Sequence, residues 1–477
     1  MDRSELSAAM IRHLGDVFVA ALTKAAPTLA TRDLDGIEQG LQDVGRQVMG
    51  AVVEAVVAAI ATGQPEAAPR CALCQRGMRP VDLARPRSLQ GLVGDYTLLR
   101  AYFVCDSCHH GQAPLDERLG IGAGALSPGL SRVTARFGIE DSFGETPSAL
   151  AEALRVHVPG EGSRRMTEGI GQVVEAEEQA LMTRARAGQD PLPVSAVAGG
   201  ATALLVEVDG ALVHLEDDWH EVKVGVAAPL GPQAREDPET GRTTLVMGAP
   251  TYCAGFETAE AFWYRAYVAA CRQGLGAATL TLIVVLGDGA DWIWRSAARF
   301  LAGIGVEIVE IVDIYHAFAH IATVGNAVFG IGTPVARAWI ESVKQDLYEK
   351  GADPVLAALA DMVPPDATAA EEVRKAVGYF GEHAARMDYP TFIARQLPIG
   401  SGAVESACKT LIEEREKGAG MRWTKTGAQA VASLRAVHRS GRWETFWRTH
   451  PQRRRPAVFP RPTSGVHGAI MPQKQAA

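Results

Sequence analysis

The sequence has no excess of basic charge: 47 Lys and Arg stand against 55 Asp and Glu in 477 residues, a formal net charge of −8. That balance excludes a uniformly basic nucleic-acid coat, though not a local basic surface. Long hydrophobic runs are missing too. The longest, around 51–61 and 275–287, fall short of the ~20 residues that span a bilayer. The first residues, MDRSELSAAMIRHLG, are charged throughout and lack the apolar core of a signal peptide. A cytoplasmic protein with no membrane partner is therefore expected. There is no internal repeat and no low-complexity tract. GIGAGA at 120–125 lacks the lysine of a phosphate-binding loop, so no ATP is implied. What remains is an ordinary globular composition, 47% hydrophobic and 21% charged, and a length that predicts about three domains.

Cysteine is scarce, with seven residues, an odd count. Four of them form two close pairs, Cys71/Cys74 and Cys105/Cys108, in CALCQRG and CDSCHHG. In a large intracellular chain such pairs read as metal ligands before disulfides. The strand-like run LVGDYTLLRAYFVC between them allows a small β-ribbon to bring both knuckles around one tetrahedral Zn²⁺. Four cysteines close the coordination shell, so this zinc is expected to be structural. Cys253, Cys271 and Cys408 sit in apolar or helical contexts and read as small core residues.

Residues 1–65 read as an Ala-rich helical segment, with Ile11, Leu14, Val17, Leu22, Val52, Val56 and Ile60 at helical spacing and intrachain core as their expected use. The ribbon covers 66–125. In 126–187, TPSALAEALRVHV and SRRMTEGIGQVVEAEEQAL read as two helices around PGEG, the second with Ser163 as N-cap. This outline fits a DNA-binding helix-turn-helix presenting Arg164 and Arg165, or a plain helical hairpin. GQDPLPVSAVAGG (188–200) has linker composition. Next come three strand candidates, ALLVEVDGALVHL, HEVKVGVAAP and TTLVMGAPTY, then alternating helix and strand. That order predicts an α/β fold of the ribonuclease-H-like kind over 201–447. Residues 331–398 read as mostly helical, with breaks at Gly351, Pro364 and Pro390, and 448–477 form a basic, Pro-rich tail.

Asp209 is read as ending the first strand of this domain and Asp288 the fourth. In the ribonuclease-H-like order these strands are neighbours, ~5 Å apart, so the two carboxylates would face each other. Such a pair implies a bridging divalent cation, Mg²⁺ or Mn²⁺. Glu405, on the helix AVESACK, is the natural third ligand. Two ions about 4 Å apart would serve phosphodiester hydrolysis or transfer without a side-chain nucleophile. Glu207 shares a strand face with Asp209 by alternation; Asp209 is preferred for its strand-end position beside Gly210. Asp313 ends the fifth strand and fits better as a supporting group. His316, three residues on, faces the same side and could contact the scissile phosphate. His320 reads as a core residue.

VEVDGALVHL with HEVKVG, GDGADWIW, IVDIYHAFAH, IGSGAVESACK and GMRWTKTGAQAVASLRA together resemble the ISKra-type bacterial insertion-sequence transposases, within the mutator-like DDE transposases. The resemblance runs from the cysteine pairs to about residue 447. It implies a ribonuclease-H-like catalytic domain with a helical insertion (331–398) before the catalytic glutamate. It further implies an acidic triad of Asp209, Asp288 and Glu405, and an Asp-x-x-His signature at Asp313 and His316. The implied activity is cleavage of element ends and strand transfer into target DNA, by a homo-oligomer on double-stranded DNA. From Arg415 to Thr463 twelve basic residues face two acidic ones. Lys409, Arg415, Arg422, Lys425, Arg453, Arg454 and Arg455 are the expected phosphate contacts there, with Trp423 placed to stack on a base. Trp443 and Trp447 read as packing. The rival expectation is a non-catalytic DNA-binding regulator derived from such an enzyme.

Overall fold

A computed structural model describes residues 8–61, 68–236 and 241–449. The expected contacts Arg453, Arg454 and Arg455 lie outside the described residues. Two compact units form. The first takes the described residues up to Phe137 with Phe143–Val173; the second takes Gly138–Ser142 with Val174–Arg448.

In the first unit, α1 (Ala8–Leu29) and α2 (Leu34–Ala61) make a helical hairpin. The expected intrachain core is thin here: Ile11, Val56 and Ile60 are all exposed. By length and composition α2 is, among the described residues, the one helix long and apolar enough to cross a membrane. Arg46 and Glu54 interrupt its apolar run, which hides it from a search for unbroken stretches. Both charges are engaged: Arg46 donates to the carbonyls of Leu92 and Gly91, and Glu54 accepts the Thr97 amide. Strands β1 (Arg79–Leu89), β2 (Tyr96–Val104) and β3 (Gly111–Gln112) form an antiparallel sheet in that order. Register shifts in β1 follow Pro80 and precede Arg85, as suits proline on an edge strand. Beyond α3 (Pro114–Arg118), helices α4 (Pro128–Gly138), α5 (Thr146–Leu154) and α6 (Gly160–Arg186) follow. Leu130 and Leu150 pack with Val156 and Val158 of the α5–α6 connection. Ser163 is not an N-cap. Helix α6 begins three residues earlier, and Ser163 is buried with its hydroxyl donating to the Val158 carbonyl.

Helix α6 is continuous across the boundary between the units, so the second unit begins within it rather than at the 188–200 linker. The reason is chemical. Glu175 and Glu178, on its C-terminal half, hold buried arginines of the second unit.

That unit is mixed α/β. Its sheet contains β4 (Ala203–His214), β5 (Trp219–Glu236), β6 (Thr243–Met247), β7 (Thr251–Gly255), β8 (Leu282–Gly287) and β9 (Glu307–Val312), in the order β6-β5-β4-β8-β9 with β7 also on β5. The third expected strand is two, broken around Pro250. The β4–β5 and β5–β7 pairs are antiparallel; β4–β8 and β8–β9 are parallel. β8, LIVVLG, is almost wholly buried, as a central parallel strand requires. Helices α7 (Ala259–Cys271), α8 (Asp291–Phe300) and α9 (Ile314–Phe329) alternate with the strands. Then α10 (Pro334–Lys350), α11 (Ala352–Ala360), α12 (Ala367–His383) and α13 (Tyr389–Ala394) fill the expected helical stretch. Pro390 starts a helix there instead of breaking one, beside the Asp388 cap. α14 (Gly402–Ala407) runs into a π-helical turn, Cys408–Glu413, and then into α15 (Glu414–Glu416); α16 (Lys425–Arg439) and α17 (Trp443–Thr449) close the unit.

Arg265 is 3% exposed and bridges Glu175, at 2.6 Å, with Glu257. Arg272 pairs with Glu178 at 2.7 Å. Burial alone would raise Glu175 and Glu178, but their arginine partners outweigh it and hold both below the usual carboxylate range. Their stabilising contribution is complete above that range and is lost as pH falls through the lowered native values. Replacing Arg265 by Met would leave two partly buried carboxylates without their cationic partner. A loss of about 3–5 kcal/mol in urea denaturation is expected.

Candidate functional site

Two groups of side chains have the chemistry of a site, one in each unit. In the first unit, Cys71, Cys74, Cys105 and Cys108 bring their Sγ atoms within 4.8 Å of one another. Cys71 lies 3.4 Å from Cys108, Cys74 3.4 Å from Cys105, and Cys74 3.6 Å from Cys108. Tetrahedral zinc thiolates with bonds of ~2.3 Å are spaced at ~3.8 Å, so the four-cysteine group is close enough to bind one metal ion and is consistent with zinc. The two knuckles are built alike. In each, the residue after the second cysteine turns back with positive φ, Gln75 at 61° and His109 at 57°. Its amide bonds to the first cysteine's carbonyl in each case, Gln75 to Cys71 and His109 to Cys105. Backbone amides of Cys108 and Ser107 lower the Cys105 thiol to about 6, and those of Cys74 and Leu73 lower Cys71, which favours thiolates at these two. Cys108, though lowered by the His110 amide, is pushed up to about 12 by the Cys71 sulfur beside it.

In the second unit, β4 and β8 pair in parallel up to Glu207 opposite Leu286. Two residues beyond that pair stand Asp209 and Asp288. Asp209 does not end its strand, since β4 continues to His214 against β5. It ends the ladder with β8, which is the feature that matters. Burial raises its carboxyl, and Asp288 and Glu405 raise it further. Asp288 closes its own turn by accepting the Ala290 amide at 2.9 Å, and Tyr379 of α12 donates to its carbonyl at 3.1 Å. Gly289 has φ 104°, and a Cβ there would lie 2.7 Å from the Tyr379 ring. Only glycine fits that turn.

Asp313 is fully buried at the end of β9 and caps α9 through the Tyr315 amide. Its other oxygen meets His316 Nδ1 at 3.3 Å and accepts the Ser401 hydroxyl at 2.5 Å; that hydroxyl also lies 2.9 Å from Glu405. The hydrogen bond to Asp313 raises the His316 imidazole, favouring its cationic form. Sequence reasoning missed Ser401, the link between the two acids. It also set Glu207 aside. Glu207 is 1% exposed, and its carboxyl accepts the Val404 amide at 2.7 Å, pinning the start of α14 to β4. Burial, aided by Asp313 and Glu405, pushes it up to about 8. Alternation along β4 was the available signal, since it places Glu207 and Asp209 on one face. Between pH ~4 and ~8 the native state holds a proton here that the unfolded chain releases, so this contribution falls as pH rises through that window. Glu207→Gln keeps the neutral acceptor and is expected to melt within about 1 kcal/mol of wild type. Glu207→Ala strands the Val404 amide and is expected to cost about 2–3 kcal/mol by chemical denaturation.

Cys408 is buried one turn after Glu405, with Sγ 3.9 Å from Asp209 Oδ2. The π-helical turn that begins there is a feature frequent at functional sites. Among the described residues, only the four cysteines form a group of three or more His, Cys, Asp or Glu ligands all within 4.8 Å; Asp209, Asp288 and Glu405 are more widely spread.

The expected DNA contacts divide. Arg415 is buried, donates to the Gly138 carbonyl and lies 4.9 Å above the Trp423 ring. Trp423 is buried as well, its indole nitrogen donating to the Glu416 carbonyl. Both are corrected from DNA contacts to packing, because each spends its polar group on a backbone carbonyl. Arg435 is likewise buried, against Leu411 and Ile139, and Arg439 pairs with Glu140. Arg415 and Arg435 of the basic stretch are therefore internal, while Arg439 stays exposed. Lys409, Arg422 and Lys425 remain exposed. Arg164 is held along its own helix by Glu161 and Glu168, and Arg165 is exposed beside Glu161.

The chain matches no model of a known protein family, and a comparison with curated proteins likewise finds no match.

Proposed function

We propose that the chain is a metal-dependent DNA strand-cleavage and strand-transfer enzyme, a DDE transposase like the ISKra-type enzymes its motifs resemble. The observation that carries this reading is the pairing of β4 with β8, with Asp209 and Asp288 just beyond the shared ladder and Glu405 on a helix pinned to β4 by Glu207. The sheet order supports a ribonuclease-H-like domain: antiparallel strands on one side of β4, and parallel β8 and β9 on the other. Likewise, the three-stranded sheet and its cysteines support a zinc ribbon, and α5–α6 a DNA-binding helix pair.

Asp209, Asp288 and Glu405 would hold two Mg²⁺ or Mn²⁺ ions. Bound there, they would supply charge neutralisation and activation of the attacking oxygen, from water in cleavage and from a freed 3′-hydroxyl in transfer. The chain's own residues set the stage for this. Asp313 and Ser401 orient Glu405 and His316. The imidazolium of His316, favoured by Asp313, would balance the charge of the scissile phosphate. Lys409, Arg422 and Lys425 would carry the flanking phosphates of element ends and target DNA, with a homo-oligomer holding both ends.

The alternative is a non-catalytic DNA-binding regulator. The wide spread of the three carboxylates favours it. Incubation with duplex DNA and Mg²⁺ separates the two: nicks that vanish in EDTA support the enzyme, while bound but uncut DNA supports the regulator.

A further inference from the structure

One aromatic beside the acidic site is seated on two neighbours and left uncovered. Tyr315 is 65% exposed, more than any other large aromatic side chain among the described residues. Its backbone amide is fixed by Asp313 Oδ1 at 2.9 Å. Phe318 meets its ring edge-on, with centroids 6.2 Å apart. The ring lies against Gly400, where a Cβ would come within 2.9 Å of it. Glycine at 400 is thus what admits the ring. Gly400 directly precedes Ser401, the residue that joins Asp313 to Glu405, and His316 is the next residue of α9. The tyrosine therefore borders the proposed reaction centre.

An isolated exposed ring needs no explanation. A ring seated against a glycine and an aromatic neighbour, on a helix start whose amide is capped, is different, because these contacts position it and leave its face open. A flat apolar face is covered favourably by another flat face, and a preordered one loses little entropy on being covered. Next to a phosphodiester, the flat group at hand is a nucleobase. A paired duplex shows its grooves base edges and keeps the faces stacked, so only a base out of the stack can meet the ring.

We propose that Tyr315 is a stacking platform for one unpaired nucleobase adjacent to the cleaved bond. The inference rests on the nuclease reading of the acidic site and adds a substrate contact to it.

The test uses the full chain and a duplex that the wild-type protein nicks in Mg²⁺, with an abasic residue placed in turn at each nucleotide flanking the nick. Tyr315→Ala is expected to slow nicking about tenfold, and Tyr315→Trp to stay within about twofold. At one flanking position the abasic residue is expected to slow wild type about as much, and to slow the Ala variant no further. An Ala variant that nicks at the wild-type rate would overturn the proposal. So would abasic and Ala effects that multiply at every position. If the wild-type protein binds duplexes in Ca²⁺ but nicks none of them in Mg²⁺, the nuclease reading and the contact are overturned together; nicking without coupling overturns the contact alone. Unchanged thermal melting of both variants separates a lost contact from a lost fold.

Discussion

Asp209→Asn, Asp288→Asn and Glu405→Gln are each expected to slow DNA strand cleavage on the order of 10³-fold or more, with DNA affinity kept within about threefold. The asymmetry follows from charge. Each carboxylate is needed to hold divalent cations, but toward the phosphate backbone it is a repulsive group. Its neutralisation should leave binding intact or tighten it slightly. The three act as one assembly, so double variants should lose little beyond the single ones. Cleavage rates on denaturing gels, with anisotropy in Ca²⁺ for binding, measure both arms. Near-normal cleavage by any one variant would remove that residue from the set. Glu207 offers an internal control: its Gln variant keeps the hydrogen bond that pins α14 and should cleave close to wild type.

Removal of the cysteine-bound metal is the second large effect expected. The buried core around the knuckles consists of Cys71, Met78, Ala101, Phe103 and Cys105, so two of its five members are themselves ligands. So small a core cannot hold the β-ribbon by hydrophobic burial alone. Zinc bound by four thiolates contributes on the order of 10 kcal/mol to such modules. Elemental analysis is expected to find one zinc per chain, and Cys71→Ser or Cys105→Ser should abolish it. Protease sites between residues 68 and 112 should then open, as they should in wild type treated with a strong chelator. A chain purified without zinc, and equally resistant to protease with and without chelator, would contradict the assignment.

The sequence was most legible where one periodicity or spacing decided the outcome. Alternation in VEVDGALVHL and the unbroken apolar run in LIVVLG marked β4 and β8, and paired Cys-x-x-Cys spacing marked the four-cysteine group. Long-range pairing was not legible. Nothing local says that Ser401 will bridge Asp313 and Glu405, because those contacts cross 88 residues for one acid and four for the other. Charge counting misled for a related reason. Arg415 and Arg435 read as surface cations, yet their guanidinium groups reach backbone carbonyls around Gly138 and Ile139. Arginine's long planar fork suits such burial as well as it suits phosphate. Glu207 is a near miss: alternation puts it on the Asp209 face, but the strand-end position that favoured Asp209 does not exist, since β4 runs on to His214.

The most direct measurement is strand cleavage by the wild-type chain on a duplex carrying the sequences that flank its gene, in Mg²⁺, resolved on a denaturing gel. Discrete nicks at a fixed position, each leaving a 3′-hydroxyl and disappearing with EDTA or with Asp288→Asn, are the expected result. Tight binding of that duplex with no nick in Mg²⁺ or Mn²⁺ would contradict a catalytic role for Asp209, Asp288 and Glu405.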